Sequence, residues 1–169
     1  MGDSFHTDWV ATEIERKFIA GALPTNWVGS GMAIRQGYVA EEGDAEVRVR
    51  ITDSAATLTV KAGRGRSRTE VEVEIDGDEA EQLWSHTEGR RIEKVRHRVD
   101  VGAVTAEVDV YGGALEGLIV IEVEFDSEAA ADSFTPPPWF GRELTGDKRW
   151  SNASLARHGR PGDAGDAGD

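Results

Sequence analysis

Glu70-Val71-Glu72-Val73-Glu74-Ile75 alternates acidic and aliphatic side chains at every step. Successive side chains of an extended chain point to opposite sides, so this period of two marks a β-strand with one apolar and one polar face. The period recurs along the chain while the charge changes sign. Glu13, Glu15 and Lys17 alternate with Ile14, Arg16 and Phe18; Arg48 and Arg50 with Val47, Val49 and Ile51; Thr59 and Lys61 with Leu58 and Val60. Further on, Lys94, Arg96 and Arg98 alternate with Val95, His97 and Val99, Glu107 and Asp109 with Val108 and Val110, and Glu122 and Glu124 with Ile121, Val123 and Phe125. With Ala33 to Ala40, where Gln36 and Tyr38 share one parity, this makes about eight strands.

The connections are short and rich in turn residues: Glu42-Gly43-Asp44, Asp53-Ser54, Gly63-Arg64-Gly65 and Gly112-Gly113. Short links between neighbouring strands favour an antiparallel sheet. Helical spacing interrupts the strands at Asp78 to Glu88, with Asp78 as N-cap, at Ser127 to Phe134, and from near Thr145 to near Gly159. Pro136-Pro137-Pro138 is a stiff extended connector. The expected fold is mainly β (α+β), an eight-stranded antiparallel closed β-barrel with its apolar parity outward under the helices. It occupies residues 11–159, between an N-terminal segment (1–10) and a Gly/Asp-rich disordered tail (160–169).

Composition narrows the function. The 169 residues include no cysteine, which removes thiol catalysis, cysteine-ligated zinc and iron–sulfur clusters. Nineteen Lys and Arg against 32 Asp and Glu leave a net charge of −13, which argues against a duplex nucleic-acid groove and against anionic membranes. No leader-like apolar run opens the chain and none reaches the roughly 20 residues of a membrane span, so the expected location is cytoplasmic. A single small acidic domain is compatible with a monomer or a homodimer.

If the charged parity lines the barrel, its lumen carries carboxylates and cations together. Desolvating an isolated ion costs several kcal/mol, so these groups must pair with one another or meet a ligand of matching character. Six or seven Lys and Arg on one lining suit a polyanion, and a cluster of Asp and Glu suits hard divalent cations such as Mg²⁺ or Mn²⁺. A phosphate chain bridged by such metals meets both demands. The Gly-x-Gly at 63–65 has no helix after it and reads as a hairpin turn, not a phosphate loop.

Glu13-Ile14-Glu15-Arg16-Lys17-Phe18 resembles the Glu-x-Glu-x-Lys signature of the CYTH domain, the triphosphate tunnel metalloenzymes. Further matches follow in the family's order: Arg35-Gln36-Gly37-Tyr38, Val47-Arg48-Val49-Arg50, Leu58-Thr59-Val60-Lys61, Arg68-Thr69-Glu70-Val71-Glu72, Glu93-Lys94-Val95-Arg96, Glu107-Val108-Asp109-Val110 and Glu122-Val123-Glu124. Pro138-Trp139-Phe140-Gly141 and Thr145-Gly146-Asp147-Lys148-Arg149 resemble the last element before the family's C-terminal helix. The resemblance covers about residues 11 to 158 and is closest to single-domain bacterial members that hydrolyse inorganic tripolyphosphate.

The resemblance implies a tunnel that binds a triphosphate-containing small molecule with two divalent cations, Mg²⁺ or Mn²⁺. It assigns Lys17, Arg48, Arg50, Lys61, Lys94 and Arg96 to the phosphates, with Tyr38 as a donor in the same lumen. It assigns Glu13, Glu15, Glu70, Glu72, Asp109, Glu122 and Glu124 to the metals, with Glu15, Glu122 and Glu124 first and Glu74 and Glu107 at the margin. Alternatives that keep the tunnel are a nucleoside or thiamine triphosphatase, an adenylyl cyclase and a non-catalytic polyphosphate-binding barrel. Of the 19 basic residues only Lys17, Lys61, Lys94 and Lys148 are lysine, and all but Lys148 lie on the charged strand parity. These positions fit a compact point charge better than a planar fork.

Overall fold

The computed structural model describes residues 14–20, 23, 31–43, 45–62 and 69–162. Segment 1–10, Glu13, the Gly63-Arg64-Gly65 turn, Arg68 and tail residues 163–169 lie outside the described residues. The strands are β1 (Ile14–Ile19), β2 (Met32–Glu42), β3 (Ala45–Thr52), β4 (Ala56–Ala62), β5 (Thr69–Ile75), β6 (Arg91–Val101), β7 (Val104–Tyr111) and β8 (Ile119–Phe125). Among the described residues three short α-helices accompany them: α1 (Gly77–Ser85), α2 (Glu128–Ser133) and α3 (Asn152–His158). The strands form one eight-stranded sheet in the order β1-β8-β7-β6-β2-β3-β4-β5, and every ladder is antiparallel.

Among the described residues no ladder joins β1 to β5, so hydrogen bonds do not close the expected barrel. The free edge of β1 is occupied by a returning segment. The Ile19 N–H donates to the Arg142 carbonyl (2.9 Å), the Leu144 N–H donates to the Lys17 carbonyl (2.8 Å), and the Lys17 N–H donates to Thr145 Oγ1 (3.0 Å). This cover satisfies edge groups that would otherwise invite another strand. The sheet still curls far enough for β1, β2, β3, β6, β7 and β8 all to line one cavity.

Helix starts follow side-chain caps. α1 begins before the expected Asp78, because Asp76 and Glu79 form a reciprocal capping box: the Glu79 N–H donates to Asp76 Oδ1 at 2.8 Å, and the Asp76 N–H donates to Glu79 Oε2 at 3.3 Å. α2 starts after Ser127, as its sequence predicts. The C-terminal helix expected from Thr145 is instead divided. Gly146 has φ of 79°, Asp147 caps a 3-10 turn at Lys148–Trp150, and Ser151 caps α3.

Apolar packing falls on both faces of the sheet. Outside, Phe18, Ala106, Val108, Ile121 and Val123 pack under Phe140, whose ring meets Phe18 edge-on at 5.0 Å. α1 covers Val49 and Ala56 through Ala80. The third cluster belongs to the inner parity. Moving along each strand from Lys17 to Ile19, Lys94 to Ile92, Asp109 to Tyr111 and Glu122 to Val120, the inward side chain turns from charged to apolar. There Trp150 and α3, through Leu155, join Leu115, Leu118 and Leu144 to plug the end of the lumen. α3 is therefore a stopper and not an outer cover, contrary to the expectation that all the helices lie over the outward parity. Leu155→Ala is expected to cost about 2–5 kcal/mol in urea unfolding, and a loss below about 1 kcal/mol would contradict the plug.

Candidate active site

The pleat delivers the charged parity to the concave side of the sheet. A cavity of about 240 Å³ is lined there by Glu15 and Lys17 of β1, Tyr38 of β2, Arg48 and Arg50 of β3, Arg96 of β6 and Glu122 and Glu124 of β8. Eight of the residues singled out from sequence thus meet at one place. Glu107, held at the margin, also lines it, and so do Glu46 of β3 and the Ser151-Asn152-Ala153 start of α3, which the sequence reading missed.

On the β1–β8–β7–β6 wall the ions are paired. Lys17 Nζ meets Glu122 Oε1 at 2.7 Å. Arg96 grips Asp109 through two nitrogens, Nε to Oδ1 and Nη2 to Oδ2, both at 2.7 Å. It also donates to Glu107 and, at 3.3 Å, to Glu122. Lys94 reaches the same Asp109 carboxylate at 2.5 Å, with Lys94 only 3% and Asp109 only 1% exposed. This pair does not line the cavity; it forms its floor behind Arg96.

The pKa shifts follow from this balance of desolvation and partners. Burial pulls the Lys17 ammonium down, but Glu122, with Glu15 and Asp109, more than offsets that and leaves it above the ordinary lysine value. Lys94 lies lower than an ordinary lysine, because burial outweighs Asp109 and Arg96 repels it. Burial raises Asp109 and Glu122, yet Arg96 and Lys94 for the former, and Lys17 and Lys94 for the latter, hold both carboxyls below their usual range. The partners thus favour the ionised carboxylates of Asp109 and Glu122, while burial works against the charge on Lys94.

The β2–β3–β4–β5 wall is arranged differently. Lys61 pairs with Glu70 at 2.8 Å, Arg48 approaches Glu70 at 3.4 Å, and Thr59 Oγ1 donates to Glu72 at 2.8 Å. Lys61, Glu70 and Glu72 lie outside the cavity, towards the free edge of the sheet. Arg50 makes no ion pair among the described residues. Its Nε donates to the amide oxygen of Gln36 at 3.1 Å, and burial beside Arg48 and Arg96 lowers its pKa. Burial and Glu46 raise the Tyr38 phenol, so it stays protonated.

The predicted acidic cluster is thus divided between the walls, and Glu13 lies outside the described residues. Among the described residues no three His, Asp or Glu side chains converge to hold a metal by themselves. A β-bulge explains one acid that parity counting missed. The register shifts between Tyr38 and Ala40, which leaves Val39 without a partner and places Glu41 opposite Glu46. Glu41 consequently shares the inner face, where Arg157 of α3 binds it at 2.7 Å. Among the described residues no helix is long and apolar enough to cross a membrane.

A curled antiparallel sheet with ion-paired carboxylates on one wall and arginines on the other encloses a charged cavity. The sequence matches the CYTH domain over residues 11–158, and the chain belongs to that family. It is 45% identical over 148 residues to an inorganic triphosphatase of Nitrosomonas europaea, a match spanning 86% of this chain and 97% of the relative. An inorganic triphosphatase of Acetivibrio thermocellus is 39% identical over 148 residues, spanning 86% and 94%. A crystal structure of an inorganic triphosphatase superposes with a TM-score of 0.72 at 41% identity, covering 87% of this chain and 95% of that one.

The floor is testable without substrate. Asp109→Ala strands a buried ammonium and is expected to lower the unfolding free energy of the chelator-treated protein by about 3–5 kcal/mol. Adding Lys94→Met should recover part of that loss. If the double variant is as unstable as the single one, the pairing does not carry the cost.

Proposed function

We propose that the protein hydrolyses the phosphoanhydride bond of a triphosphate chain, with inorganic tripolyphosphate cleaved to pyrophosphate and phosphate, in the cytoplasm. The observation that carries this reading is one small cavity in which Arg48, Arg50 and Arg96 face Glu15, Glu122 and Glu124. The naming of two relatives with nearly full-length matches as inorganic triphosphatases supports it. The apolar plug under α3 stops one end of the lumen, so the substrate enters from the other.

The cavity offers a hard divalent cation its oxygen donors in pairs, to be completed by the phosphate oxygens of the substrate. Glu15 stands opposite Glu124 on neighbouring strands and Glu107 opposite Glu122, and all four line the cavity. Carboxylates placed opposite one another repel, and oxygen donors of this kind suit Mg²⁺ or Mn²⁺. We assign Glu15, Glu122 and Glu124 as first ligands and keep Glu13, Glu70 and Glu72 as the remaining acids for a second cation, while Asp109, held by Lys94 and Arg96, serves the floor. When bound, such ions neutralise phosphate charge and acidify an attacking water.

The protein's own groups do the rest. Arg48, Arg50 and Arg96 bind phosphate oxygens and oppose the charge that grows as the bond to the leaving group breaks. Lys17, held by Glu122 at the mouth of β1, and Lys61, held by Glu70 on the far wall, add point charges. Lys94 acts from the floor, where it fixes Asp109 and through it Arg96. The protonated Tyr38 phenol donates to a phosphate oxygen.

Phosphate release from tripolyphosphate, ATP, thiamine triphosphate and pyrophosphate, each with Mg²⁺, Mn²⁺ or EDTA, tests the reading. Tripolyphosphate should be cleaved fastest, EDTA should stop release, and Glu122→Gln should slow it ~100-fold or more. Equal or faster cleavage of ATP, or release that survives EDTA, would overturn it.

A further inference from the structure

Gln36 is the one neutral amide on the inner face of β2, and it is fully buried. It lies directly opposite Arg50 on β3, and Tyr38 follows two residues later on the same face. Gln36 Nε2 donates to the Tyr38 hydroxyl oxygen at 2.8 Å, and Arg50 Nε donates to Gln36 Oε1 at 3.1 Å. Both ends of the amide are used within the lumen wall.

The direction of this relay is fixed by chemistry. A guanidinium has donors and no acceptor, so the amide atom facing Arg50 must be the oxygen. The NH₂ group then faces Tyr38, and the phenol oxygen serves Gln36 as an acceptor. The phenol hydrogen is left to point elsewhere, and among the described residues the Tyr38 hydroxyl donates to none. Tyr38 lines the cavity and remains protonated, so its O–H is presented as a donor to whatever anion enters. With Nε of Arg50 engaged by Gln36, the paired η nitrogens are the part of the fork free for phosphate oxygens.

A glutamate would have the same shape and the opposite effect. Its carboxylate would accept from both neighbours, turn the phenol hydrogen away from the cavity and cancel the charge of Arg50. On a sheet whose inner parity is rich in glutamate, an amide at this point spares Arg50 an ion pair across the β2–β3 ladder. We infer that Gln36 is a positioning and specificity-determining residue of the polyanion site, holding Tyr38 as a donor and Arg50 as an uncompensated cation. This rests on the triphosphate reading of the cavity.

The test uses the full chain with Gln36→Glu, Gln36→Leu, Tyr38→Phe and the Gln36→Leu/Tyr38→Phe pair, each first checked for cooperative thermal unfolding. Two readouts are taken: KM and kcat for tripolyphosphate with Mg²⁺, and the rise in melting temperature that tripolyphosphate alone produces in EDTA. Gln36→Glu is expected to raise KM at least about tenfold with a smaller change in kcat, and to abolish the stabilisation by tripolyphosphate. Gln36→Leu should raise KM about tenfold alone but no more than about threefold when Tyr38 is already Phe, because part of its effect runs through that hydroxyl. If Gln36→Glu does not fold, this cycle with Gln36→Leu decides. Unchanged KM and unchanged stabilisation in the Gln36 variants, or fully additive effects with Tyr38→Phe, overturn the inference. A wild-type protein that neither cleaves tripolyphosphate nor is stabilised by it overturns the triphosphate reading instead.

Discussion

The Asp109 carboxylate, held by Lys94 from below and by two nitrogens of Arg96 from the side, is the interaction on which the lumen depends. A sheet cannot turn a charged face inward unless each ion there has a partner, since an uncompensated buried ion costs more than packing recovers. Asp109 stands between two cations that would otherwise repel one another along β6, and Arg96 passes the network on to Glu107 and Glu122, whose charges complete the balance. Lys17 closes it against Glu122 on β1. The result is a floor whose charges are spent internally, beneath a cavity in which Arg50 is not.

This asymmetry gives the site its chemistry. One wall gathers oxygen donors opposite one another, at Glu15 with Glu124 and Glu107 with Glu122, the latter two bridged by Arg96. The other gathers Arg48, Arg50 and Tyr38 around a neutral amide, where an anion would find donors already aimed. The net charge of −13, which by itself argues against binding phosphate, is an average over the surface, the tail and this divided interior. The apolar half of the inner parity, from Ile19 and Ile92 to Tyr111 and Val120, stops one end of the lumen.

Much of this was legible in the sequence because a pleat has a period of two and tolerates little else. The parity of Lys17, Arg48, Arg50, Arg96, Glu122 and Glu124 carried them to one cavity through four different strands, and no tertiary information was needed to see which side they shared. Three features resisted, each for a physical reason. The bulge at Val39 resets parity within one strand, so Glu41 was not recognised as inward-facing, and Glu46 was read past as the start of β3. The C-terminal helix was read as a cover because its apolar residues, Ala153, Leu155 and Ala156, do not say which face of a sheet they will meet. Closure of the barrel was expected from strand number, but the backbone of β1 is occupied by residues 142–145, a contact between distant segments that no local pattern encodes.

The central claim, a lumen with a metal wall and a phosphate wall, is tested most directly by a crystal structure of the protein with Mn²⁺ and tripolyphosphate, the metal located by its anomalous scattering. The account predicts manganese bound by Glu15, Glu122 and Glu124, with phosphate oxygens against Arg48, Arg50 and the Tyr38 hydroxyl. Manganese or phosphate found instead in the larger depression of about 390 Å³ beyond α3, between Arg91 and Arg157, with this cavity empty, would contradict it.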